Sequence, residues 1–145
     1  MIRAVLDANV LVSGLISKKG VPGQLLDGWR GLARGRFQIV ISPPILAELA
    51  RIRARVDERE IRDLLKALAT LAETAPGALE LDVLTTDPAD NVYLACAVEA
   101  ALHSKDAAYL VTGTLKHYAE AGENYRGVQI LAPAAFLSLL ETGET

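Results

Sequence analysis

The sequence predicts an α/β fold with a mainly parallel central sheet. Short β-branched and apolar runs alternate with helical stretches along the whole chain. Half of the residues are apolar (51%) and under a quarter are charged (23%), the balance of a folded globular chain and not a disordered one. No internal repeat, low-complexity tract or linker interrupts the alternation.

Ile2–Leu6 reads as a buried strand that ends in Asp7, and Ala8–Leu15 as the opening of a helix. Lys18–Gly23 is a loop by composition. Gln24–Arg34 then carries Leu25, Leu26, Trp29, Leu32 and Ala33 at helical spacing, with Gly35 as terminator. Phe37–Ile41 is a second strand. Ser42-Pro43-Pro44 opens a helix, with serine as N-cap and proline at the first helical position.

Asp57–Ala75 is the clearest helix, with a stripe of Ile61, Leu64, Leu65, Leu68, Leu71, Ala72 and Ala75. Asp57 and Glu60 resemble a capping box. Pro76-Gly77 closes it, and Leu79–Leu84 reads as a short strand. Thr86-Asp87-Pro88-Ala89-Asp90 starts a helix that runs to about Leu102. Tyr109–Thr112 and Val128–Leu131 complete five expected strands, and Pro133 begins a last helix to about Leu140.

At 145 residues the chain is read as one domain, 1–145, with an acidic tail from about residue 141 expected to be loose. A net charge of −3 excludes a protein that coats nucleic acid by bulk electrostatics, but leaves room for a local basic patch. The single cysteine, Cys96, excludes an internal disulfide and a thiol-based zinc cage, and reads as a small buried thiol. No signal peptide and no apolar run near the roughly 20 residues of a membrane span is visible. A soluble, cytoplasmic protein is expected.

In open parallel sheets, sites form beyond the carboxyl ends of the strands. This focuses attention on Asp7 and on the segment after Val111. Asp7 either caps the following helix or carries chemistry; a charged carboxylate buried there costs several kcal/mol without donors or a cation. Glu48 lies in Ile45-Leu46-Ala47-Glu48-Leu49, with apolar neighbours and no wide polar face. Asp87 and Asp90 bracket a helix start. Both suit capping, and Asp90 also suits a position facing Asp7.

Competing chemistry is absent. His103 and His117 match no HExxH spacing and read as surface groups, not ligands. No P-loop or GxSxG elbow occurs. An aspartyl-nucleophile phosphohydrolase would place a second acid two residues after Asp7, where this chain has Asn9. Oxygen-only acid clusters favour Mg²⁺ or Mn²⁺ over zinc.

Four segments in order, Leu6-Asp7-Ala8-Asn9-Val10-Leu11-Val12-Ser13, Leu46-Ala47-Glu48-Leu49, Asp87-Pro88-Ala89-Asp90-Asn91 and Tyr109-Leu110-Val111-Thr112-Gly113, resemble the PIN-domain signature. The nearest branch is that of the toxin components of bacterial and archaeal toxin–antitoxin systems. The resemblance spans about Ile2 to Leu140. It implies a three-layer fold, with a mainly parallel sheet of about five strands flanked by helices. It further implies acids gathered at one end to bind Mg²⁺ or Mn²⁺, RNA cleavage, and a small antitoxin protein as partner.

Carried over residue by residue, the three acids fall on Asp7, Glu48 and Asp90. The polar residue after the first acid falls on Asn9, and the hydroxyl before the fourth acid on Thr112. The fourth acid is missing: Thr114 stands in its place, with Asp87 and Asp106 as candidate substitutes for the charge. That departure leaves a second reading open, a catalytically weakened PIN-like module that binds RNA or protein.

Cations for RNA are expected from Lys18 and Lys19, and from Lys105, Lys116 and His117. Arg30, Arg34 and Arg36 form a second cluster and Arg51, Arg53 and Arg55 a third. Each set reads equally as a solvated face. By family analogy, the helix carrying Trp29 and the helix after Asp57 are the expected surfaces for self-association into a dimer or for an antitoxin segment.

Overall fold

A computed structural model describes residues 1–31, 36–52 and 56–142. Among them the strands are β1 (Ile2–Leu6), β2 (Phe37–Ile41), β3 (Glu73–Thr74), β4 (Ala108–Val111), β5 (Asn124–Tyr125) and β6 (Val128–Leu131). They form one sheet in the order β3-β2-β1-β4-β6-β5. Every neighbouring pair is parallel except β5 with β6. The helices are α1 (Ala8–Ile16), α2 (Val21–Arg30), α3 (Pro43–Arg51), α4 (Glu58–Leu71), α5 (Asn91–Leu102) and α6 (Pro133–Thr142). Two 3₁₀ turns lie at Pro88–Asp90 and Leu115–Tyr118. The result is the predicted α/β, three-layer architecture, with six strands in place of five.

The central strands are near-continuous apolar runs because both faces of the sheet are covered. On one face lies α5, buried from Asn91 to Ala100 except at Val92, the all-round burial of an inner helix. It shares a cavity with Arg3 and Val40 of that face. The other face carries Phe37 and Tyr109, against which α6 sets Phe136. The Phe37 and Phe136 rings meet edge-on at 5.2 Å, and Tyr109 lies 5.7 Å from Phe136. Each such fully buried aromatic contributes about 2–3 kcal/mol of hydrophobic stabilisation. Trp29 of α2 is also wholly buried, with its indole N–H donating to Gln38. The side chain is part of the core.

Several element boundaries depart from the sequence reading. α2 starts at Val21, with Pro22 in its first turn, so the second half of the expected loop is helix. A Cβ on Gly23 would stand 2.4 Å from the Lys18 carbonyl oxygen, so only glycine lets α2 begin so close to the exit of α1. α2 ends at Arg30, with Gly31 as its C-cap, short of the expected Arg34; Arg34, Gly35, Arg53, Arg55 and the last three residues of the tail lie outside the described residues. Ser42 precedes α3 as its N-cap residue but makes no capping bond with its side chain. Asp57 does cap α4 through Arg59 N–H, whereas Glu60 pairs with Lys18 at 3.5 Å.

α4 stops at Leu71, short of Ala75, because Glu73–Thr74 leaves to pair with β2. Residues 79–84 form no strand. Gly77, at φ +74°, turns the chain away from the sheet, and side chains of α5 then take up its backbone groups. Glu99 accepts Gly77 and Ala78 N–H at 3.0 and 3.2 Å, and Asn91 accepts from Leu84 N–H at 3.0 Å and donates to its carbonyl at 3.0 Å. A backbone satisfied in this way has no need of a ladder.

Candidate active site

The chain winds from β1 outward to β2 and β3, then returns to the other side of β1 to place β4 and β6. The winding direction therefore reverses between β1 and β4, and the crevice beyond their carboxyl ends is where such sheets bind ligands. The register sets Leu6 beside Val111, so the residues that follow, Asp7 and Thr112, emerge side by side into that crevice. Asp7 N–H still bonds the Val111 carbonyl at 3.1 Å, and Thr112 N–H the Leu131 carbonyl at 3.0 Å.

Asp7 is only 3% exposed. One carboxylate oxygen caps α1 by accepting Val10 N–H at 3.1 Å, and the other faces the Tyr118 hydroxyl at 3.5 Å. Burial pushes its pKa up. Hydrogen bonds from Thr112, Val10 and Tyr118 only partly offset this, and the charge of Asp90 adds to the rise. Among the described residues no cationic side chain lies within ion-pair distance of Asp7. Of the two roles weighed from sequence the cap is present, and it uses one oxygen and leaves the charge uncompensated.

Asp90 makes no capping bond with its side chain, and neither does Asp87. Both turn instead toward His117. Its Nδ1 stands 3.1 Å from Asp90 Oδ2, and its Nε2 stands 3.9 Å from Asp87 Oδ1. Burial raises the Asp90 pKa despite the lowering influence of His117, and the Asp87 and Glu48 carboxylates raise it further. The expectation of His117 as a plain surface group is therefore wrong. Thr114 and His117 sit at either end of one 3₁₀ turn, and that turn carries the imidazole back over the site. His103 is exposed, its Nδ1 on the Glu99 carbonyl, as expected.

Glu48 is half-buried on α3. It joins Pro44, Ala47, Arg51, Ala89 and Val92 around an open groove of about 480 Å³, in whose wall it is the one acid among the described residues. Between the acids stands Tyr93 of α5. Burial first, then the charges of Glu48, Asp7 and Asp90, hold its phenol protonated far above the usual tyrosine range. The Tyr93 hydroxyl is buried and makes no close hydrogen bond among the described residues; Glu48 is the acceptor it faces. Sequence reasoning missed both Tyr93, in an apolar stretch where a tyrosine reads as core, and Tyr118, in a polar segment where it reads as surface.

The remaining candidates divide. Thr112 is fully buried beside Asp7, and its hydroxyl accepts Thr114 N–H at 3.1 Å. The Thr114 hydroxyl lies 3.4 Å from that of Thr112 and 3.3 Å from His117 Nδ1. Asn9 is exposed on the first turn of α1. Asp106 is excluded as a substitute acid: it precedes β4, at the opposite end of the sheet from Asp7, and pairs with the Met1 amine at 3.4 Å. Lys105 and Arg36 share that far end. Lys18 is tied to Glu60, whereas Lys19 and Lys116 are exposed.

These groups fit a hard divalent cation. The acids Asp7, Glu48 and Asp90 are oxygen donors in one electrostatic neighbourhood, one of them buried without counter-charge, and a buried hydroxyl stands in their midst. Among the described residues no three His, Cys, Asp or Glu side chains converge on a single point, so a bound ion would have to draw the acids together.

A family model described as PIN domain matches residues 3–116. The match covers Asp7, Glu48, Asp90, Thr112 and Thr114 and stops one residue short of His117. No curated protein matches the chain. Among the described residues no helix is long and apolar enough to cross a membrane.

Proposed function

The chain belongs to the PIN-domain family, generally metal-dependent nucleases, and from that premise we propose that it is an endoribonuclease working with Mg²⁺ or Mn²⁺. The observation that carries the proposal is Asp7: a carboxylate buried at the topological switch point, held by donors but neutralised by no cation, with Asp90 near enough to raise its pKa.

Asp7, Asp90 and Glu48 would hold the ion, which when bound polarises a phosphodiester and eases deprotonation of a water. The protein's own groups do the rest. Tyr118, Thr112 and Val10 N–H fix the Asp7 carboxylate, so its orientation costs no reorganisation during reaction. Glu48, on the groove wall, is placed to orient the attacking water. Arg51 in the same groove and exposed Lys19 and Lys116 supply positive charge for the RNA backbone. Asn9 is placed to contact the phosphate from the first turn of α1. In the cell the role we infer is that of a toxin restrained by a small antitoxin and acting as a homodimer, a reading supported by the family resemblance alone.

The test is RNA cleavage with and without Mn²⁺. Wild type should cleave, and Asp7→Asn should lose at least about a hundredfold in rate, roughly 2.7 kcal/mol of transition-state stabilisation. Equal cleavage by both proteins would refute the assignment. Thr114 favours one second reading, a PIN-like module that binds RNA without cutting it; RNA binding with no cleavage at any Mn²⁺ concentration would establish that instead.

A further inference from the structure

We propose that His117 is a nitrogen ligand of the ion, filling through its imidazole the place left by the absent acid at Thr114. The inference rests on the reading of Asp7, Glu48 and Asp90 as the ion's acids.

The spacing of donors carries it. Nδ1 of His117 lies 3.1 Å from Asp90 Oδ2 and 3.3 Å from Thr114 Oγ1. An octahedral ion with bonds of about 2.0–2.4 Å separates adjacent donors by about 2.9–3.4 Å. The hydrogen bonds that join carboxylate, imidazole and hydroxyl thus already hold them at the separations of neighbouring ligands, and an ion would take the place of the shared proton.

The other ring nitrogen supplies an independent observation. Nε2 faces Asp87 Oδ1 at 3.9 Å, too far for a hydrogen bond but on the side where a ligating histidine characteristically directs its second nitrogen at a carboxylate. This gives Asp87 a task that its absence from the helix cap leaves open. Three-residue spacing in a 3₁₀ turn eclipses Thr114 and His117, so the imidazole projects from the same side of the turn as the residue it replaces.

A nitrogen donor changes the preference of the site. Imidazole suits transition metals, whereas Mg²⁺ favours oxygen and gives up its waters reluctantly. The site should therefore prefer Mn²⁺ to Mg²⁺ more strongly than an all-carboxylate site does.

The chain has two histidines, which makes the test clean. Electron spin-echo spectra of the Mn²⁺-loaded protein should show ¹⁴N coupling from one imidazole. The coupling should persist in His103→Gln and vanish in His117→Gln. In His117→Gln the Mn²⁺ affinity should fall about tenfold or more while the Mg²⁺ affinity changes less than about threefold. A wild-type spectrum without imidazole coupling overturns the proposal, whatever the variants do. If Mn²⁺ affinity still falls in Asp7→Asn under that outcome, the nuclease reading survives alone. Imidazole coupling that persists in Asp7→Asn at undiminished affinity upholds His117 and overturns the placement of Asp7 in the same shell.

Discussion

Tyr118 and Asp7, 111 positions apart in sequence, meet at the centre of the site, the phenol donating to Oδ2 across 3.5 Å. Burial and the charges of Asp7 and Asp90 hold Tyr118 far above the usual tyrosine range, so it remains a donor at any working pH. With Val10 N–H on Oδ1, each oxygen of Asp7 has a donor and neither donor brings a positive charge. The carboxylate is oriented but left anionic, an arrangement that costs stability and reserves charge for a ligand.

That cost sets a pH dependence. The Asp7 pKa is raised by burial, so the unfolded chain releases its proton before the folded one does as pH rises. Stability from this group is complete below the ordinary aspartate value of roughly 3.9 and is lost as pH climbs through the folded-state value. Asp90, also raised by burial, acts in the same direction. In EDTA at pH 7, Asp7→Asn should therefore melt higher than wild type, with the gain vanishing near pH 3. Asparagine keeps the cap on α1, whereas Asp7→Ala loses it and should fall below Asp7→Asn by about 1 kcal/mol, or about 3 °C. Thermal melts across pH that show Asp7→Asn below wild type throughout would contradict the account.

Tyr118→Phe removes one donor without creating a cavity. At 3.5 Å the bond is weak, so the loss should be about 1 kcal/mol or less in a urea titration. Mn²⁺ affinity should fall several-fold because Asp7 is then less well oriented. A variant that loses stability and leaves Mn²⁺ binding untouched would mean that Tyr118 serves the core alone.

Glu120 provides the opposite sign. Its carboxylate takes Thr85 N–H at 2.7 Å and Thr86 N–H at 3.1 Å, and also binds the Thr85 hydroxyl; these bonds tie down the loop leading to Asp87 and Asp90. The bond from the Thr85 hydroxyl is the chief influence that lowers its pKa. This stabilisation is present above the ordinary glutamate range and disappears as pH falls through the folded-state value. Glu120→Gln should accelerate amide hydrogen exchange at Thr85 and Thr86 at pH 7, and the two proteins should converge in acid. Unchanged exchange at both amides would show that the loop is held by other means.

How much of this was legible in the sequence depends on how local each signal is. β1, β2 and β6 are short, largely apolar and β-branched runs, and their limits agree with the reading to the residue. Asp7 was legible because a strand end in such a fold is a place for chemistry. β3 is two residues long and has no pattern to read, while residues 79–84 have a pattern but find their partners on α5, a non-local fact. His117 was hidden for a similar reason. Thr114–Ala121 lacks helical periodicity, and only a 3₁₀ reading of the turn, which eclipses i and i+3, would have set the imidazole above the acids. Asp87 and Asp90 looked like caps because aspartate and proline start helices; the structure turns their carboxylates toward His117 instead.

The most informative substitution is Thr114→Asp. Thr114 Oγ1 already contacts Thr112 and His117, so an aspartate there brings a fourth negative charge within a side-chain length of Asp90. Without metal, that charge adds to a neighbourhood whose carboxyl pKa values are already raised, and the variant should melt lower than wild type in EDTA. With metal the sign reverses, because each carboxylate offsets part of the cation's dehydration cost. Mn²⁺ should bind about tenfold tighter, a gain of roughly 1.4 kcal/mol, and raise the melting temperature by more than it does in wild type. RNA cleavage should rise in parallel if the missing acid limits turnover. Tighter Mn²⁺ binding with no gain in cleavage would place the limit at substrate binding, whereas Mn²⁺ affinity equal to or below that of wild type would show that residue 114 does not face the ion.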